Sequence, residues 1–125
     1  MEFKIDTKDN YSRISTTATH IDANMAATLE ARCQSLADNG SNNFLVVLSS
    51  CQSGEESGFE ALAAFHENCY SEGRSLVFTN VGPEVMDAMD EAQLTGALNI
   101  APTEQEGIDI IHMEILERDL MDEEG

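Results

Sequence analysis

The polar and apolar positions divide the chain into short alternating segments. Phe44-Leu45-Val46-Val47-Leu48 is an unbroken apolar run, the pattern of a strand buried on both faces. A polar, turn-prone stretch from Ser49 to Gly58 follows. Phe59, Leu62, Ala63, His66, Cys69 and Tyr70 then fall on one side of a helix that Gly73 stops. Residues 44–73 therefore read strand, loop, helix, with Ser57 at or beside the helix N-cap.

Before this unit, Phe3 and Ile5 alternate with polar residues, Lys8-Asp9-Asn10 is turn chemistry, and Ile14, Thr16 and Thr17 tolerate a strand. A hairpin over residues 2–18 is expected. Asp22 to Asn39 reads as a helix. Asp22 or Asn24 can cap it, Met25, Leu29, Cys33 and Leu36 form its buried stripe, and Gly40 suits its C-terminal stop. After the central unit, Ser75–Asn80 is a strand. Pro83 opens a helix that places Val85, Met86 and Met89 inward and ends near Gly96. Ala97–Ile100 is a further short strand. Thr103-Glu104-Gln105-Glu106 is a capping-box pattern, and Ile108, Ile111 and Ile115, with Leu116 at the margin, carry the last apolar face. Gly107 in that first turn costs about 1 kcal/mol relative to alanine. Residues 119–125 are acidic and short of core residues, and they are expected to fray. The order β-β-α-β-α-β-α-β-α implies an α/β domain with a largely parallel sheet and an antiparallel first hairpin.

At 125 residues and 42% apolar content the chain is long enough for one domain with a real core. Its net charge is −18, with six Lys and Arg in all. That balance excludes the basic footprint of a nucleic-acid binder and disfavours anionic membrane surfaces. It favours solubility, with a solvated acidic surface as the main reading and a basic patch on a partner as the other. No apolar run approaches the ~20 residues that span a bilayer, so membrane insertion is not expected. Cys33, Cys51 and Cys69 are odd in number and widely spaced, which suits free thiols in a reducing, cytoplasmic setting.

Ser57 is the residue with the most chemistry to offer. A serine before glycine at a helix start reads first as a cap, worth about 1 kcal/mol. The same geometry presents a hydroxyl where backbone N–H groups and the helix dipole favour a phosphate. Glu55 and Glu56 oppose that phosphate by like charge. On the residues alone the cap and the modification site both stand. A serine hydrolase is a remote alternative. Gly54 and Gly58 do not give the Gly-x-Ser-x-Gly spacing, and His20, His66 and His112 are the only candidate bases. His66 and Cys69 lack the further ligands of a metal site, no phosphate loop occurs, and no aspartate follows the central strand. No cofactor, metal or catalytic residue is expected. The acidic run Glu84, Asp87, Asp90 and Glu91 has the spacing of a solvated helix face.

Over roughly residues 11–116 the pattern resembles the STAS family, the fold of bacterial anti-sigma factor antagonists. The matching places are Thr19-His20-Ile21-Asp22, Phe44–Leu48, Glu55-Glu56-Ser57-Gly58, Leu76–Asn80, Pro83 and Thr95-Gly96-Ala97. The resemblance implies a single STAS-like domain over residues 1–118, with a mixed, largely parallel sheet of about five strands and about four helices, and an acidic tail over 119–125. It implies a regulatory protein, not an enzyme. In that family a serine or threonine just before the loop glycine is phosphorylated by a serine protein kinase that often doubles as the anti-sigma factor. The modification releases the partner, and a phosphatase restores the first state. Carried over, the phosphoacceptor is Ser57, and the partner-binding residues are Asp22, Glu55, Glu56, Ser57 and Gly58.

The loop departs from the family pattern. Glu55 stands for aspartate and Glu56 for serine, Val47 lies where aspartate or asparagine is frequent, and Cys51, Ser53 and Gly54 replace apolar residues. Glu56 beside Ser57 can imitate a permanently modified loop. The alternative is therefore a non-phosphorylated docking or assembly subunit of a transporter or signalling complex.

Overall fold

The computed structural model describes residues 2–124, with side chains as far as Met121. Strands β1 (Phe3–Thr7) and β2 (Ser12–Thr16) form the expected hairpin, closed by a bond from Lys8 N–H to the Tyr11 carbonyl. Strand β3 (His20–Ile21) leads into helix α1 (Ala23–Asp38). Strand β4 (Asn43–Val47) is followed by β5 (Ser53–Gly54) and α2 (Glu56–Ser71). Strand β6 (Ser75–Thr79), α3 (Pro83–Glu91), a 3-10 turn (Thr95–Ala97), β7 (Ile100–Ala101) and α4 (Glu104–Glu124) complete the chain.

The main sheet runs β1-β2-β4-β6-β7. Only β1–β2 is antiparallel; β2, β4, β6 and β7 run parallel. Every residue of β4 and β6 is buried, as a continuous apolar strand covered on both faces must be. Alternation along β4 divides the core. Phe44, Val46 and Leu48 join Ile14, Leu29, Phe59, Leu62 and Phe78 on the side of α1, α2 and α3. Leu45 and Val77 face Ile111 of α4 on the other side.

Several boundaries differ from the sequence pattern. The first turn of α2 begins at Glu56, before the apolar stripe does, and Glu55 rather than Ser57 is its N-cap residue. Helix α3 stops at Glu91, short of Gly96. Gln93 takes the left-handed conformation (φ 60), and bonds from Leu94 N–H to the Met89 carbonyl and from Gln93 N–H to the Asp90 carbonyl close the helix. Residues 95–97 therefore form a 3-10 turn, and the last strand is shifted to Ile100–Ala101. Gly107, which looked like a helix weakness, is a close-packing point. A Cβ there would stand 2.6 Å from Leu45 Cδ1 and 2.8 Å from Thr79 Cγ2. Leu116 is not on the buried face of α4; it is 63% exposed. That helix continues through residues 119–124, where fraying was expected; Gly125, the last residue of the expected tail, lies outside the described residues.

Three polar knots tie α4 to the rest. Arg13 Nε donates to Glu104 Oε1 at 2.6 Å and its Nη2 donates to Oε2 at 3.2 Å, joining β2 to the first turn of α4. The Tyr70 hydroxyl donates to Glu114 Oε1 at 2.6 Å and accepts from Asn99 Nδ2 at 3.0 Å. Nearer the end of α4, Arg118 donates to Asn43 Oδ1 and Ser75 Oγ at 2.7 and 3.0 Å.

Candidate functional site

Strand β4 delivers the chain to the carboxyl edge of the parallel sheet, where ligands and partners meet α/β folds. The Cys51 N–H closes a turn onto the Leu48 carbonyl. The Ser50 hydroxyl lies 2.7 Å from the Thr16 and Ala18 carbonyls, and Gln52 N–H donates to the Thr19 carbonyl at 2.7 Å. The loop is thus stitched to the segment entering α1. Strand β5 pairs in parallel with β3, His20 opposite Ser53 and Ile21 opposite Gly54. Glu55 N–H donates to the Ile21 carbonyl at 2.9 Å.

This two-rung sheet had no counterpart in the sequence pattern. His20 and Ser53 lie 33 positions apart, and two residues per strand leave no periodicity. It forces backbones close together. A Cβ on Gly58 would stand 2.5 Å from the Ile21 carbonyl oxygen and 2.7 Å from Asp22 Cα. A Cβ on Gly54 would stand 2.5 Å from the ring of Phe59, which is fully buried. Both glycines are there because neighbouring atoms occupy the side-chain space.

The side chains on this frame form a small acidic patch. Asp22 Oδ1 accepts from Met25 N–H at 2.8 Å and caps α1, as the sequence pattern suggested. The His20 ring bridges the loop, with Nδ1 2.7 Å from Ser53 Oγ and Nε2 2.9 Å from Glu55 Oε1. The other oxygen of Glu55 accepts from the Ser57 hydroxyl at 3.4 Å, a weak bond at the limit of length. Ser57 is exposed and sits at the second position of α2, while Glu56 lies exposed in the same turn. The N–H groups of Glu56 and Ser57 belong to the unpaired set at a helix start. No Lys or Arg occurs between residues 33 and 73, and among the described residues His20 is the only basic side chain that bonds to this loop.

Asp22, Glu55, Glu56, Ser57 and Gly58 are thus brought together at one end of the sheet. His20 joins them; the sequence pattern offered it as a possible base and as part of the segment at residues 19–22, not as a loop partner. It bonds to Ser53 and Glu55, and its ring makes no bond to Ser57. His66 lies against the Tyr70 ring, with centroids 4.5 Å apart. Among the described residues no three His, Cys, Asp or Glu side chains cluster as metal ligands. Burial pushes the thiol of Cys69 up to about 11 and that of Cys33 higher still.

The STAS domain family model matches residues 3–107, from the hairpin to the first turn of α4. The chain belongs to the STAS domain family. No curated protein matches the sequence. Solved STAS-like structures match its fold at low identity. A Ser→Glu variant of RsbS from Moorella thermoacetica has a TM-score of 0.72 at 18% identity, covering 94% of this chain and 99% of that one. An anti-sigma factor antagonist from Mycobacterium paratuberculosis has a TM-score of 0.71 at 19% identity, covering 89% and 93%. The unphosphorylated form of the anti-sigma factor antagonist SpoIIAA has a TM-score of 0.66 at 14% identity, covering 89% and 96%. Among the described residues no helix is long and apolar enough to cross a membrane.

Proposed function

We propose that this STAS domain is an anti-sigma factor antagonist-like regulator of transcription in the cytoplasm. It docks a serine protein kinase that doubles as anti-sigma factor, using the loop at 54–58 and the exposed face of α2. Ser57 is the phosphoacceptor, Glu55, Glu56 and Gly58 shape the contact, and Asp22 lies beside them at the start of α1. Phosphorylation releases the partner, and a cognate phosphatase resets the loop.

One observation carries this reading: the Ser57 hydroxyl is exposed in the first turn of α2, held only by the 3.4 Å bond to Glu55. A kinase can reach it without unfolding anything. A phosphate there adds ≈ −1.5 to −2 charges. The free N–H groups and positive end of α2 would receive it. Glu55 and Glu56 would repel it, and Glu55 would have to leave its bond to Ser57. The added charge then changes a docking surface by repulsion and desolvation.

Intact-mass measurement of protein isolated from its native host, with and without Ser57→Ala, tests the reading. The expected result is one phosphate on the parent chain and none on the variant. A phosphate that persists in Ser57→Ala, or that appears under no growth condition, removes Ser57 from the mechanism. The second reading, a docking subunit with no switch, is favoured by Glu55 and Glu56, which already make the loop anionic. Partner capture that is insensitive to Ser57→Asp would select it.

A further inference from the structure

On the face of the sheet away from α2, helix α4 exposes large apolar side chains. Met113, Leu116, Leu120 and Met121 of α4 are 62, 63, 55 and 71% exposed, and they are the large apolar side chains that stand out most into solvent among the described residues. The spacing of Met113, Leu116 and Leu120 puts them on one stripe of the helix, about 180° from Ile111 at 100° per residue. This stripe is separate from the buried face made by Gly107, Ile111 and Ile115. Exposed apolar side chains scattered singly are ordinary, but a continuous stripe on one helix marks an interaction surface.

Charge decides what fits there. Glu106, Asp109, Glu117 and Asp119 are exposed on the same helix around or beyond the apolar stripe. The one arginine of α4, Arg118, is turned inward onto Asn43 and Ser75. His112 packs edge-on against Tyr11, 6.3 Å away. The stripe is thus apolar, framed by carboxylates and without an exposed Lys or Arg on its own helix. A second copy of this chain, at net charge −18, would set carboxylate against carboxylate. A helix with Leu or Ile on one side and Lys or Arg flanking it would bury the stripe and pair the rim. Met113 at the start of the stripe, with Met121 beside its far end, adds an adaptable surface.

We propose that the outward face of α4, from Met113 to Met121, docks a cationic amphipathic helix of a partner protein. This surface lies across the sheet from α2 and does not depend on Ser57. The domain then has two independent contacts, one at the loop and one on α4.

The test uses the isotope-labelled full chain and a synthetic Leu/Lys amphipathic helical peptide of about four turns, with a Leu/Glu peptide of the same pattern as control. The Leu/Lys peptide is expected to shift the amide signals of residues 109–121 and to bind more weakly as salt rises. Leu116→Ser with Leu120→Ser leaves every charge in place and is expected to weaken binding at least about tenfold. Glu106→Gln, Asp109→Asn and Glu117→Gln together are expected to remove most of the salt dependence. Ser57→Glu should leave the affinity unchanged. The proposal is overturned if the double serine variant binds as the parent does, if the shifts map to the loop or α2, or if the control peptide binds equally. It is also overturned if sedimentation shows a dimer that the double serine variant abolishes, because the occupant would then be a second copy. These substitutions are at exposed positions, so a loss of binding without a change in thermal midpoint reads the surface and not the fold.

Discussion

Gly58 stands in direct backbone contact with Ile21: a Cβ on the glycine would lie 2.5 Å from the isoleucine carbonyl oxygen. The start of α2 and the entry to α1 therefore share one tight junction, and the acidic loop hangs on it. Rigid support of this kind lets an exposed hydroxyl keep a defined position without packing of its own.

That junction predicts the sign of Gly58→Ala. Alanine is the better helix former by about 1 kcal/mol. Overpacking against atoms that cannot swing away costs about 1–3 kcal/mol, and here the obstacle is backbone. A net loss of stability is expected in urea denaturation, with Gly54→Ala losing ground likewise against the Phe59 ring. A Gly58→Ala chain more stable than the parent would show that the contact is not there.

Ser57→Ala should behave in the opposite way. The hydroxyl is exposed and makes one weak bond, so the expected change is within about 0.5 kcal/mol. Thermal unfolding of parent and variant should superimpose. A drop larger than that would mean the residue is structural, and any lost partner binding would then have a trivial cause.

Tyr70→Phe should be costly although it removes a single oxygen. That oxygen bonds Glu114 and Asn99 and lies 3.4 Å from the Leu76 backbone, so it links α2, β6, the segment before β7, and α4. Leaving these groups without a partner costs about 1–3 kcal/mol. Burial, with the Glu114 carboxylate next, pushes the phenol up to about 12, so the hydroxyl stays protonated and donating through the working pH range. An unchanged urea midpoint would contradict the network.

The Arg13–Glu104 pair predicts a pH dependence. The hydrogen bond from Arg13 holds the Glu104 carboxyl below its ordinary value. A depressed carboxyl stabilises the fold above its unfolded value, about 4.3, and loses that contribution as pH falls through the folded value. Glu104 is partly exposed, so the parent should exceed Glu104→Gln by under about 1 kcal/mol at neutral pH and low salt. The gap should close as pH drops below about 4. A gap that widens on acidification would reverse the assignment.

The cysteines should be silent in the folded chain. Cys33, Cys51 and Cys69 are all buried and unpaired, and burial raises each thiol. Iodoacetamide near pH 8 should leave the native mass unchanged and label all three after unfolding, since the thiolate is the reacting species. Rapid native labelling of any one would mean that its site opens.

By itself the sequence determined the α/β order, the buried central strands, a cap for α1 at Asp22 or Asn24, and the placement of Ser57 near the start of α2. These are local signals: an apolar run, a helical stripe, a capping side chain, each written within a few residues. Tertiary structure alone decided the rest. His20 reaches Ser53 and Glu55 only because the entry to α1 is laid beside a loop 33 positions further on. Gly107 became an advantage only when the sheet lay beneath it. Leu116 turned outward because α4 meets the sheet through Gly107, Ile108, Ile111 and Ile115, and Leu116 lies about 140° around the helix from Ile111. Burial is a property of what a residue is packed against, and no window of sequence contains its neighbours from another element.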